Sequence, residues 1–182
     1  MESDPAPAPH AAMDRPSAWV ELWASQVPAG GAVLDVACGS GRHARFFALR
    51  GHPVDAVDRD AAAIAELAAV PGVTALCADI EGGPWPYAGR RFAAVVVTNY
   101  LHRPLLPRLL AAVAPGGVLI YETFAAGNEA HGRPKNPDFL LQPGELRAVL
   151  DQGWQVLGYE HGPVETPRPA VIQRICAIAG RP

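Results

Sequence analysis

An α/β fold, a doubly wound sheet of seven mostly parallel strands, is what this sequence predicts. Three features predict it. Five apolar β-type runs alternate with helical segments, Gly and Pro punctuate the places where helices end, and the last two apolar runs lie too close together for a crossover.

Taken in order, Ser17 reads as the N-cap of a short helix, because Trp19, Leu22, Trp23 and Val27 recur at helical spacing until Pro28-Ala29-Gly30-Gly31 stops it. Runs suited to strands then occupy Val33–Cys38, Pro53–Asp58, Val73–Asp79, Phe92–Tyr100 and Val118–Phe124. Helical segments fill the gaps at Arg42–Arg50, Ala61–Val70 and Pro104–Ala114. Gly51 stands where a C-cap glycine belongs and Asp60 where an N-cap belongs; Pro71-Gly72 and Pro115-Gly116-Gly117 close the next two helices. Runs that are apolar almost throughout fit strands covered on both faces, hence a parallel sheet with right-handed crossovers.

The end of the chain breaks this rhythm. A helix at Gly144–Gln152, preceded by Pro143 and closed by Gly153, leads to a strand at Trp154–His161. Ala170–Ala179 follows after only Gly162–Pro169, so these two strands pair antiparallel. The sequence thus predicts five parallel strands and a terminal hairpin.

Composition bounds the function. The 182 residues suit one domain, expected over 17–182, after a Pro- and Ala-rich flexible tail at 1–16. Fifteen basic residues against 18 acidic ones give −3, a balance that disfavours a general nucleic-acid binder. No apolar stretch approaches the ~18–20 residues that cross a bilayer, and the N-terminus lacks a basic-then-apolar leader pattern, so a soluble cytoplasmic protein is expected. Cys38, Cys77 and Cys176 are widely separated and show no zinc-ligand spacing, so no metal is expected.

The strongest local signal is Val33-Leu34-Asp35-Val36-Ala37-Cys38-Gly39-Ser40-Gly41-Arg42-His43-Ala44. A strand runs into a Gly-x-Gly turn and a helix begins at once, which lets the backbone approach a ligand and offers it unpaired N–H groups. Alone, this also fits a dinucleotide fingerprint, with Asp58 near the offset of a ribose-binding acid. The next two strands end at Asp58 and Asp79. Parallel strands place all carboxyl ends on one edge, so Asp35, Asp58 and Asp79 are expected around one crevice. Such a set suits a ligand combining an ammonium, a ribose and an adenine.

These residues resemble those of the class I S-adenosylmethionine-dependent methyltransferases. The resemblance rests on Leu34 to Gly41, Val57-Asp58, Ala78-Asp79-Ile80, Phe92–Asn99 and Ala114-Pro115-Gly116-Gly117-Val118-Leu119. It implies a Rossmann-like sheet of order 3-2-1-4-5-7-6 with strand seven antiparallel, and S-adenosylmethionine as cofactor. It places Gly39 and Gly41 at the methionine end, Asp58 at the ribose hydroxyls, and Asp79 at the adenine amine with Ile80 on the ring; Asp35, Ala37, Cys38 and Arg59 are further candidate cofactor contacts. Ala37 stands where many members have Gly, which is acceptable if its φ is negative. Thr98 to Arg103 and Tyr121-Glu122-Thr123-Phe124 further resemble small-molecule methyltransferases of the tellurite-resistance type.

The implied reaction is in-line methyl transfer to a small-molecule acceptor by a monomer or homodimer. Asn99, Tyr100 and His102, leaving the fourth strand, are the candidate catalytic residues, with Asn99 also at the cofactor and His102 or His131 as a base for a protonated acceptor. The long connection Ala125–Leu141 reads as a substrate lid. Its His131, Arg133 and Lys135, together with Tyr121, are the candidate substrate contacts, the three basic groups being available to an anionic acceptor. A nicotinamide-dependent oxidoreductase and a non-catalytic partner subunit of the same fold are the alternatives.

Overall fold

The computed structural model describes residues 15–180. The tail expected at 1–16 therefore lies, over residues 1–14, outside the described part. Seven strands form one sheet: β1 (Val33–Val36), β2 (Val54–Asp58), β3 (Val73–Cys77), β4 (Phe92–Thr98), β5 (Val113–Phe124), β6 (Trp154–Val164) and β7 (Ala170–Ala179). Their order is β3-β2-β1-β4-β5-β7-β6, with β7 antiparallel to both neighbours. Strand order reverses between the parallel neighbours β1 and β4, and this switch point opens a crevice at the strands' carboxyl ends.

Apolar residues, Val foremost, make up most of β1 and β4, whose residues are buried nearly throughout, because helices cover both faces. On one face lie α1 (Ala18–Trp23), α2 (Arg42–Ala48) and α3 (Ala61–Leu67), packing Trp19, Phe47 and Leu67 against Val33, Val54 and Val96. On the other lie α4 (Leu106–Ala112) and α5 (Glu145–Ala148), where Leu105, Leu109 and Leu146 meet Val95, Leu119 and Ile175. Ser17 and Asp60 cap α1 and α3 through their side chains, as their positions predict.

Several boundaries differ from the sequence expectation: β5 starts at Val113, five residues early, so that the helix before it ends at Ala112, and two others differ for local reasons. The last helix stops at Ala148 rather than at 152, because the chain turns through Asp151, whose carboxylate accepts from Gly153 N at 2.8 Å. Strand β6 runs on to Val164, since Pro163 and Val164 pair with Val171 and Ala170; as an edge strand it tolerates the proline. Across β5, β7 and β6 the cross-strand partners Glu122, Arg174 and Glu160 form an ion-paired row. Among the described residues no helix is long and apolar enough to cross a membrane.

Candidate active site

The glycine turn is built from both sides. Cys38 N donates to Val57 O (3.1 Å) and Gly41 N to Cys38 O (2.9 Å), folding the turn over the ends of β1 and β2. Gly39 and Gly41 both have positive φ. Gly41 also lies so close to Leu67 of α3 that a Cβ there would collide with the leucine methyls, so glycine is required twice over. Asp58, closing β2, accepts from Gly39 N at 2.8 Å through one oxygen and from Asp60 N at 2.9 Å through the other. Each oxygen keeps a second acceptor direction.

A cavity of about 460 Å³ opens beside this turn, lined by residues of all five parallel strands' carboxyl ends and of the 125–141 connection. Ala37, Asp58, Arg59, Asp79, Ile80, Asn99 and Tyr100 of the expected set line it, joined by Ala78, Glu81, Leu101, Thr123, Phe124, Pro134 and Phe139. Asp79 accepts from Glu81 N (2.9 Å) and Gly82 N (3.1 Å), and these N–H groups, Gly82's first, hold its carboxyl below the usual range. Asn99 has φ +55, a conformation that its type tolerates, and donates its backbone N–H to Glu122 O at 2.9 Å. The Tyr100 hydroxyl is buried and has no hydrogen-bond partner. His102 is not on the cavity wall; its Nδ1 lies 3.9 Å from Glu81 Oε2, beside the wall.

Several expectations need correction. Asp35 is 1% exposed and does not face the cavity: its carboxylate accepts from Ala44 N at 2.9 Å, tying the strand to α2. Burial pushes that carboxyl up to about 7, against the pull of the Ala44 N–H and of Arg42. Cys38, expected at the cofactor, is buried and does not line the cavity; burial drives its thiol upward, and its side chain is a core group. Tyr121 is 1% exposed and donates its hydroxyl to Tyr100 O at 2.9 Å; it supports the wall from behind. His131, Arg133 and Lys135 point to solvent, and none of them lines the cavity. The 125–141 connection presents Pro134 and Phe139 there instead.

Ala37 departs most plainly from expectation: its φ is +52, not negative. A left-handed L-residue costs about 1–2 kcal/mol, and glycine's extra freedom when unfolded returns about 0.4–1 of that. Ala37→Gly is therefore expected to stabilise the protein by roughly 0.5–1 kcal/mol, read as a higher urea midpoint at unchanged m-value; an unmoved or lower midpoint contradicts the assignment of strain.

Three residues with no evident local sequence signal hold the site together. Asn128 is buried, donating to Pro134 O (3.1 Å) and accepting from Val171 N (3.2 Å), which fixes the 125–141 connection to β7. Arg103, directly after His102, pairs with Glu145 (2.7 and 3.0 Å) and donates to the carbonyls of Asp138 (2.8 Å) and Leu140 (2.9 Å). It thereby clamps the segment carrying Phe139 against the turn carrying Tyr100. With the guanidinium partly solvated, Arg103→Ala is expected to cost about 1–2 kcal/mol of stability and to raise the acceptor KM more than the cofactor Kd. Equal changes in both constants would contradict the clamp.

His43 of α2 is the third. Its Nε2 accepts from Ser17 N (3.1 Å), so the neutral ring carries its proton on Nδ1, 3.4 Å from Thr98 Oγ1. Burial, then the Arg42 charge, push its imidazole down to about 3. Ser17 Oγ in turn donates to Glu122 Oε1 at 2.7 Å, joining α1 to β5 beneath Asn99.

Strand order, glycine turn and acid-ended strands together give the fold of the class I S-adenosylmethionine-dependent methyltransferases, and residues 33–117 match the family model described as a methyltransferase domain. S-adenosylmethionine is the cofactor of that class. Among solved structures, TehB from Haemophilus influenzae aligns with TM-score 0.73 at 18% identity over 87% of this chain and 60% of its own. This chain thus spans 60% of that protein's length. A TehB-like SAM-dependent methyltransferase from Corynebacterium glutamicum aligns with TM-score 0.65 at 18% identity, covering 88% of this chain and 86% of that one. The 16S rRNA (adenine(1408)-N(1))-methyltransferase from Catenulisporales acidiphilia, as a W203A mutant, aligns with TM-score 0.60 at 22% identity, covering 89% and 91%. No curated protein sequence matches the chain.

Proposed function

We propose that this protein transfers a methyl group from S-adenosylmethionine to a small-molecule acceptor. The observation that carries the reading is the cavity at the β1/β4 switch point, whose lining sorts into a nucleoside half and an apolar half. The donor set fits the cofactor. Asp58 keeps free acceptor directions for two ribose hydroxyls, exposed Asp79 faces an exocyclic amine, and Ile80 with Ala78 offers an apolar side to a base. Ala37, Cys38, Gly39 and Gly41 serve through their backbone, Asp35 by fixing the turn, and Arg59 by flanking Asp58.

When bound, S-adenosylmethionine supplies a methyl carbon on a positively charged sulfur that is already a good leaving group. The protein's task is then to align the acceptor and keep water out, and such positioning is worth up to ~7–11 kcal/mol. Asn99 and Tyr100 stand at the end of β4 between the two halves, and Pro134 and Phe139 close the far side. Where the acceptor arrives protonated, Glu81 on the wall, with His102 beside it, receives its proton. Acidity at the cavity (Asp58, Asp79 and Glu81 against Arg59) and a net charge of −3 favour a small acceptor over RNA.

The test is a labelled-methyl assay of the full chain over small thiols, amines, phenols and oxyanions, with product mass identified. One acceptor gaining a single methyl is the expected result. Absence of label transfer to every acceptor, with cofactor bound, would leave the non-catalytic partner subunit as the better reading.

A further inference from the structure

The chemistry of the acceptor half narrows the substrate class, on the reading of methyl transfer just given. Six residues, Tyr100, Leu101, Thr123, Phe124, Pro134 and Phe139, line the cavity on the β4–β5 side. None carries a charge. Their polar atoms are two hydroxyls, and that of Tyr100 is buried without a partner. Charged groups lining the cavity number three carboxylates, of Asp58, Asp79 and Glu81, against the single guanidinium of Arg59. Arg168 lies over the Phe124 ring at 5.5 Å and donates to Arg133 O, outside the lining. The basic side chains of His131, Arg133 and Lys135 face solvent.

We propose that the acceptor is an electrically neutral nucleophile (a thiol, amine or phenol) carried on an apolar body, and not an oxyanion. An oxyanion entering this half would shed water, find no cation among the six residues lining it, and lie near three carboxylates. An apolar body instead gains from burial against Leu101, Phe124, Pro134 and Phe139. The step balances for a neutral X–H group. The lone pair on X forms the bond to the methyl carbon, the carbon–sulfur bond breaks with its electrons left on sulfur to give S-adenosylhomocysteine, and the X–H proton passes to Glu81 beside His102 and on to water.

The probes are 4-(mercaptomethyl)benzoic acid and its methyl ester, which share a nucleophile and differ in charge, with tellurite as a plain oxyanion. Each is titrated calorimetrically into the full chain saturated with S-adenosylhomocysteine, and products with S-adenosylmethionine are weighed by mass spectrometry. The ester is expected to bind about tenfold or more tightly than the acid and to be S-methylated, with tellurite giving no binding heat. Comparable or tighter binding of the acid or of tellurite, or no binding of the ester, overturns the proposal. Phe139, on a connecting segment and 48% exposed, can be exchanged at small risk to folding. Phe139→Arg is expected to shift the ester-to-acid ratio severalfold toward the acid, and an unchanged ratio would also overturn it. Failure of the underlying reading is distinguishable, because S-adenosylhomocysteine would then not bind, or would bind while no acceptor of any charge gained a methyl group.

Discussion

Asp58→Ala is expected to weaken S-adenosylmethionine binding by roughly 10–150-fold, the equivalent of about 1.5–3 kcal/mol for hydrogen bonds to a charged acceptor. The loss has two sources in the structure. One is the acceptor directions that Asp58 offers to the cavity. The other is the turn itself: without the carboxylate, Gly39 N and Asp60 N lose partners at 2.8 and 2.9 Å, and the glycine turn is held to the end of β2 only by the Cys38 N–Val57 O bond. Asp58→Asn keeps one acceptor oxygen and is expected to fall between parent and Ala variant. Calorimetric titration of the three proteins at one ionic strength checks this. An unchanged Kd in Asp58→Ala would remove the residue from the site.

The second large effect is a pair of opposed titrations beneath the glycine turn. Asp35 has an ordinary carboxyl value of 3.8 and about 7 when folded. The folded chain therefore holds a proton that the unfolded chain has released, and Asp35 lowers stability progressively as pH rises from about 4 to about 7. His43 runs the other way, from an ordinary 6.5 to about 3 when folded. There the unfolded chain takes up a proton that the folded chain refuses, so stability rises with pH between about 3 and 6.5.

At 1.36 kcal/mol per pH unit each slope amounts to roughly 3 kcal/mol across pH 4–6.5, and in the parent protein they nearly cancel. Asp35→Asn is expected to expose the His43 slope, gaining roughly 3 kcal/mol over that window; His43→Gln is expected to expose the Asp35 slope and lose a similar amount. Urea denaturation at several pH values reads both. Two variants whose stability curves run parallel to the parent would contradict the opposed pair.

Strand ends were the most legible part of the site. Asp58 and Asp79 each close an apolar run, so strand direction alone carried them to one edge, and the short gap before Ala170 was enough to make the last pair antiparallel. Depth along a strand was harder to read. Tyr121 and Thr123 share a face of β5, yet Thr123 lines the cavity while Tyr121, two residues earlier and some 6–7 Å lower, is sealed beneath it. Side-chain direction in the 125–141 connection has no period to betray it, and the structure turns Pro134 and Phe139 to the cavity where charge had pointed to the basic groups. Arg103 and Asn128 find partners as far as 42 and 43 residues away, and His43 finds Thr98 at 55, distances over which no local pattern operates. The left-handed Ala37 follows from how the turn is tied to Val57 and Asp58, a constraint from the neighbouring strand.

Everything proposed for the cavity depends on its receiving a sulfur-bearing adenosine. Titrating the full-length protein with S-adenosylhomocysteine, and separately with NADH, measures that directly. The expected result is one-to-one binding of S-adenosylhomocysteine at micromolar affinity or better and no heat from NADH. Micromolar NADH binding with none for S-adenosylhomocysteine would contradict it and return the glycine turn to a nicotinamide-dependent oxidoreductase.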